Sequence, residues 1–190
     1  HSRDSQIAVI EGNRGLYDGM DHQGTYSTAE LAKLLKAPVV IIIDCTKATN
    51  TVAAMVLGCQ NMDPDVAIKG VVLNRVATKR QEDVIRKAIN EKCGVPIVGV
   101  IPVLKKDPFP ERHMGLTPFQ EHKGIEESIA AVAEIGAEYL DMDAILNVAD
   151  EAAETGFGVS EETQSQISNP SVKICIIRDS AFQFYYQENF

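Results

Sequence analysis

Between residues 7 and 102 the hydrophobic pattern switches repeatedly between a short period and a helical one. Short β-branched runs stand at Ile7-Ala8-Val9-Ile10, Val39–Ile43, Ile68–Leu73 and Ile97–Ile101. Val39–Ile43 is apolar at every position, the pattern of a strand covered on both faces. Before it, Ser27-Thr28-Ala29-Glu30 forms an S-x-x-E capping box. The helix that follows carries Leu31, Leu34 and Leu35 on one side and stops before Pro38. Further helical patterns cover Thr51–Gln60 and Arg80–Glu91. Strands that alternate with helices in this way predict an α/β fold: an open parallel sheet with helices on both faces, joined by right-handed crossovers.

The alternation breaks at Pro102. A Pro- and Gly-containing stretch to Lys123 predicts a long loop, and such loops in compact domains are usually functional or mobile. Ile125, Ile129, Val132, Ile135 and Leu140 then mark an amphipathic helix, with a second expected from Asp143 to Ala152. Residues 154–171 are polar and read as a linker. Val172-Lys173-Ile174-Cys175-Ile176-Ile177 restarts a strand. The expected organisation is a main domain over 1–153, a linker over 154–171 and the start of a second domain over 172–190. With His1 where an initiator methionine would stand, the sequence reads as a piece of something longer.

Composition narrows the function classes. The chain has 190 residues, 18 Lys and Arg against 27 Asp and Glu, and a net charge of −9. An acidic balance argues against general binding to nucleic acid or to membrane surfaces. The apolar run Val39–Ile43 is far short of the roughly 20 residues of a membrane span. Cys45, Cys59, Cys93 and Cys175 have neither zinc spacing nor a C-x-x-C pair. They read as buried or incidental thiols in a reducing cytoplasm.

In open parallel sheets ligands sit beyond the carboxyl ends of the strands. The four expected strands end in Glu11, Asp44, Asn74 and Pro102, which places those residues along one rim. A carboxylate there can hold Mg²⁺ directly or through water. A carboxamide has the donor and acceptor that reading an adenine edge requires. Asp44 reads equally as a cap or turn residue, and Asn74 as a turn that ends its strand. Glu11 opens Glu11-Gly12-Asn13-Arg14-Gly15-Leu16-Tyr17-Asp18-Gly19, in which three glycines let the backbone approach a ligand closely. No G-x-x-x-x-G-K-[ST] phosphate loop occurs in the 190 residues.

That nine-residue segment resembles the cobyrinic acid a,c-diamide synthases, of the dethiobiotin-synthetase-like branch of P-loop proteins. The resemblance continues through Ser27–Leu35, Ala37-Pro38-Val39-Val40, Gly70–Val76 and Gly94–Pro102. It includes Glu111-Arg112-His113-Met114-Gly115-Leu116, similar to an R-H-x-G-L signature, and resumes at Arg178–Tyr186, similar to the start of a glutaminase domain. It implies a P-loop NTPase-like fold whose first strand and phosphate loop are not among these residues. It further implies part of an ATP-binding amidoligase domain over 1–153 and the beginning of a glutaminase-like domain over 172–190.

The activity implied is a ligase one. ATP and Mg²⁺ activate acetate carboxylates of a corrinoid in cobalamin biosynthesis, and glutamine supplies the ammonia. Glu11 matches the acidic residue of the nucleotide and metal site, and Asp18 an aspartate near the reacting carboxylate. Asn74 matches the asparagine that reads adenine, with Pro102 near the base. Arg14, Tyr17, Arg112 and His113 are candidates for binding the substrate. Arg112 and His113 also read as a structural hydrogen-bond network in the long loop. Two other readings stay open: a nickel-sirohydrochlorin a,c-diamide synthase, and a non-catalytic P-loop-like ATPase or interaction module. A sheet without its phosphate-loop strand is expected to bare an apolar edge, covered by another chain or by a second copy in a homo-oligomer.

Overall fold

A computed structural model describes residues 6–105, 125–152 and 175–177. The chain divides into two compact units, one of residues 1–105 and 134–155, the other of 106–133 and 156–190. The first unit holds a three-stranded parallel sheet, β1 (Val39–Asp44), β2 (Ile68–Val76) and β3 (Ile97–Pro102), in the order β1-β2-β3. Helix α1 (Thr28–Leu35) precedes β1, α2 (Asn50–Met62) joins β1 to β2, and α3 (Lys79–Lys92) joins β2 to β3. Helices α4 (Ile125–Tyr139) and α5 (Met142–Asp150) follow.

The helix boundaries follow from their caps. Ser27 caps α1, its hydroxyl accepting from the Glu30 N–H at 3.4 Å. Only this half of the expected capping box forms: the Ser27 N–H donates instead to the Gly24 carbonyl at 2.9 Å, and the Glu30 carboxylate pairs with Lys33 at 2.7 Å. Lys33 also reaches Asp63 at 2.7 Å, tying the last turn of α1 to the end of α2. These two carboxylates, Asp63 first, raise the Lys33 ammonium further above its ordinary range. Thr78 caps α3, and Asp141 caps α5 through the Ala144 N–H at 2.9 Å.

The two faces of the sheet are covered differently. On one face Ile41, Ile43, Val71 and Leu73 pack with Val52 and Val56 of α2 and Ile85 and Ile89 of α3. Each such fully buried aliphatic side chain contributes about 1.5–3 kcal/mol. On the other face Val72 and Val98 are buried, and the Asp141 N–H donates to the Val98 carbonyl at 2.8 Å. There the Leu140 side chain occupies the space that a Cβ on Gly99 would need.

Two expectations fail, for two different physical reasons. Ile7–Ile10 is not a strand, since residues 7–12 have no regular structure and Val9 is 92% exposed. Val39–Ile43 is a strand, but Ile42 is 67% exposed, so β1 is covered on one face and not on both. A short apolar run becomes a strand only when a neighbour completes its hydrogen-bond ladder. Among the described residues Ile7–Ile10 has no such neighbour, whereas β1 pairs with β2 and lacks a packed element over the face that bears Ile42. The expected strand at Val172–Ile177 is described only at Cys175–Ile177, which is irregular. The expected 154–171 linker lies outside the described residues, as does all but the first few residues of the Pro102–Lys123 loop.

Candidate functional site

Of the four expected strand ends three meet at one rim, and the fourth does not, because Glu11 follows no strand. Asp44 is the register partner of Asn74, and Val76 is the partner of Pro102, so Asp44, Asn74 and Pro102 line adjacent strand ends. The ladder between β2 and β3 is irregular here. From Leu73 to Val76 takes three steps on β2, against two from Val100 to Pro102 on β3. The extra residue is a bulge, and Arg75 in it adopts a φ of 57°.

Polar side chains at this rim are already engaged. The Asn74 Oδ1 accepts from the Arg75 N–H at 2.9 Å. Arg75 donates from Nη1 to Asp44 Oδ2 at 3.2 Å, and the Thr46 N–H donates to Asp44 Oδ1 at 2.8 Å. Thr46, and then Arg75, hold the Asp44 carboxyl below the usual carboxylate range. Asp44 thus combines the turn role anticipated for it with an ion pair. Cys45, next along, is fully buried, and burial pushes its thiol up.

Gln81 was not singled out in the sequence, yet it links the β1–α2 loop to the β2–α3 loop at this end. Its Nε2 donates to the Cys45 carbonyl at 2.6 Å and the Ala48 carbonyl at 2.8 Å. Its Oε1 accepts from the Ala77 N–H at 2.8 Å. The available signal was T-x-x-Q at Thr78–Gln81, a capping pattern that marks a helix start and says nothing of partners 33 and 36 residues away.

The glycine-rich segment lies ahead of α1. A Cβ on Gly12 would meet the Thr28 side chain, and one on Gly15 would meet the Asp18 carboxylate. The Asp18 N–H closes a turn on the Gly15 carbonyl at 3.0 Å. The Tyr17 hydroxyl donates to the Cys59 carbonyl at 2.6 Å, one of the last four carbonyls of α2, which have no partner within the helix. Residues 19–27 fold around Asp21, a second residue not singled out. Its carboxylate accepts from the Gln23 and Thr25 N–H groups at 3.0 Å each and from the Thr25 hydroxyl at 2.8 Å. Thr25 holds the Asp21 carboxyl below its ordinary range. Gly24, at φ 77°, makes the turn, and the Gly24–Thr25 backbone leaves no room for a side chain on Gly19.

Glu11 and Arg14 are exposed on this segment. Among the described residues no hydrogen bond or ion pair joins Glu11, Arg14 or Asp18 to the strand-end trio, and no group of three or more His, Cys, Asp or Glu side chains could hold a metal ion. A single exposed carboxylate fits Mg²⁺, which keeps several waters and takes other ligands from phosphates. Arg112 and His113 lie outside the described residues. A cavity of about 530 Å³, lined by Ile68, Lys69, Pro96 and Asn147 among others, opens at the amino ends of β2 and β3, away from this rim. No described helix is long and apolar enough to cross a membrane.

A family model described as an AAA domain matches residues 1–107. The chain belongs to this family, and its parallel sheet with helices on both faces is P-loop NTPase-like. Within that class it is a relative of the cobyrinate a,c-diamide synthases. It is 40% identical over 188 residues to the cobyrinate a,c-diamide synthase of Archaeoglobus fulgidus, covering 98% of this chain and 41% of the relative. With that of Magnetococcus marinus it shares 35% over 195 residues, covering 100% and 41%. With that of Listeria monocytogenes it shares 34% over 190 residues, covering 100% and 42%. The chain thus spans about two fifths of the length of the curated relatives it matches. No solved structure matches it.

Proposed function

We propose that the chain forms part of the nucleotide-binding portion of an ATP-dependent, glutamine-using cobyrinate a,c-diamide synthase of the cytoplasm. The observation that carries this reading is the joining of Asp44, Asn74 and Pro102 at adjacent strand ends, in a chain similar over nearly its whole length to proteins of that name. In open α/β sheets such a rim is where nucleotides bind.

The chemistry asks for such a site. A carboxylate does not react with ammonia, because oxide or hydroxide would have to leave. Transfer of a phosphoryl group from ATP gives an acyl phosphate and ADP, and ammonia then displaces phosphate to leave the amide. When bound, Mg²⁺ supplies charge stabilisation at the transferring phosphoryl group. In this reading Glu11 carries the metal-side carboxylate and Asp18 lies near the reacting carboxylate. Asn74 reads the base, and Pro102 packs near it. Arg14, Arg112 and His113 serve the anionic corrinoid substrate, and Tyr17, whose hydroxyl is held by the Cys59 carbonyl, fixes the segment that carries Arg14. Glutamine enters through a glutaminase domain of which 172–190 is the start. The open edge of β1, and the sheet face on which Ile42 is exposed, are covered by further protein, in this chain's own parent or in a second copy.

The test is an assay of the whole protein with cobyrinate, hydrogenobyrinate or nickel-sirohydrochlorin, in the presence of ATP, Mg²⁺ and glutamine, followed by mass. Two amide additions to cobyrinate support the reading. Amidation of nickel-sirohydrochlorin alone moves the assignment to that macrocycle, and no amidation with any of the three refutes it.

A further inference from the structure

We propose that Arg75 is a positioning residue, whose left-handed backbone in the β-bulge orients the Asn74 carboxamide toward an adenine base. The inference rests on the reading of Asn74 as the base-contacting residue.

Arg75 occupies a conformation that non-glycine residues adopt uncommonly. Such outliers persist where their surroundings over-determine them, and they gather at functional sites. Here the surroundings do so on both sides. The Cys45 N–H donates to the Asn74 carbonyl at 2.8 Å, and the Val103 N–H donates to the Val76 carbonyl at 3.1 Å. Between these two pinned residues the chain on β2 must absorb one residue more than β3 offers. The bulge that results turns the Arg75 N–H onto the Asn74 Oδ1 at 2.9 Å. The Arg75 guanidinium reaches across to Asp44 on β1.

The consequence is chemical. A carboxamide has two donors and two acceptor lone pairs. The Arg75 N–H takes one lone pair, which fixes the amide plane and decides which end is oxygen. Both Nδ2 hydrogens and one Oδ1 lone pair remain. A donor beside an acceptor matches the adenine edge of N7 and the N6 amine. The corresponding guanine edge, N7 and O6, offers two acceptors and leaves the Oδ1 lone pair without a donor. The bulge thus favours adenine over guanine nucleotides by orientation of Asn74.

The test uses the whole protein and compares ATP with GTP for Asn74→Ala, Arg75→Val and Arg75→Gly. Valine disfavours a positive φ, whereas glycine adopts it freely and keeps the N–H. Arg75→Val is expected to raise the KM for ATP about tenfold, narrow the preference for ATP over GTP and leave kcat nearly unchanged. Arg75→Gly, though it lacks the guanidinium, is expected to recover the KM for ATP to within about threefold of the parent value. If Arg75→Val does not fold, Arg75→Ala carries the same comparison with less bulk. An unchanged nucleotide preference in the valine (or alanine) variant overturns the proposal, as does a glycine variant as impaired as the valine one. If Asn74→Ala raises the KM for ATP and Arg75→Val does not, the positioning role alone fails. If Asn74→Ala changes nothing, the base-contact reading fails and takes this proposal with it.

Discussion

The Tyr17 hydroxyl and the Cys59 carbonyl oxygen stand 2.6 Å apart, and this one bond fastens the glycine-rich segment to the last turn of α2. Removing it with Tyr17→Phe leaves a helix-end carbonyl without its partner at little change in shape. The expected loss is about 1 kcal/mol, or a Tm lower by about 2–4 °C. Urea and thermal unfolding of the chain measure it. The Tyr17 hydroxyl sits in a partly buried setting that pushes its pKa up, so it stays protonated and able to donate across the neutral range.

Gln81 joins residues that are far apart in sequence. Gln81→Leu keeps most of the volume and abolishes bonds to Cys45, Ala48 and Ala77. A destabilisation of about 2–3 kcal/mol is expected, with faster amide exchange at Ala77. A loss below about 0.5 kcal/mol would show that water replaces the carboxamide at these three groups.

Acid should loosen residues 19–27 before it unfolds the sheet. The Asp21 carboxyl is held below its ordinary range by Thr25, so its contribution is present in full above the unfolded pKa of about 3.9. It is lost as the pH falls through the lower, folded value. The Gln23 and Thr25 amide resonances, followed by NMR from pH 6 to pH 2, are expected to shift only below about pH 4. A transition centred above that value would contradict the depressed carboxyl.

The strand pattern was legible in the sequence because β2 and β3 are apolar on both faces, and the start of α1 because Ser27 announces it, whereas the caps at Thr78 and Asp141 lie two residues ahead of the starts expected at Arg80 and Asp143. Asp44, Asn74 and Pro102 were legible for the same reason: the end of a buried run is a position on the rim. Ile7–Ile10 was misread because a strand depends on a neighbour, which a local apolar run does not reveal. The roles of Gln81, Asp21 and Arg75 were hidden. The bulge at Arg75 arises from a register mismatch with β3, more than 20 residues on, and the local letters Leu73-Asn74-Arg75-Val76 carry no glycine to mark a positive φ.

Thiol labelling checks the packing directly. Cys45 is buried and its thiol pushed up by burial, whereas Cys175 is exposed. A maleimide at pH 7 is expected to modify Cys175 in the native chain and Cys45 only after unfolding. Native labelling of Cys45 at a rate comparable to Cys175 would show that the end of β1 opens readily.

In the proposed function the rim at Asn74 holds the base of ATP. Asn74→Ala in the whole protein tests it most directly, through the KM for ATP and the maximal rate of amide formation. A base contact is made in ground and transition states alike, so the KM should rise about tenfold while kcat falls less than about threefold. An unchanged KM for ATP would contradict the assignment of this rim to the nucleotide.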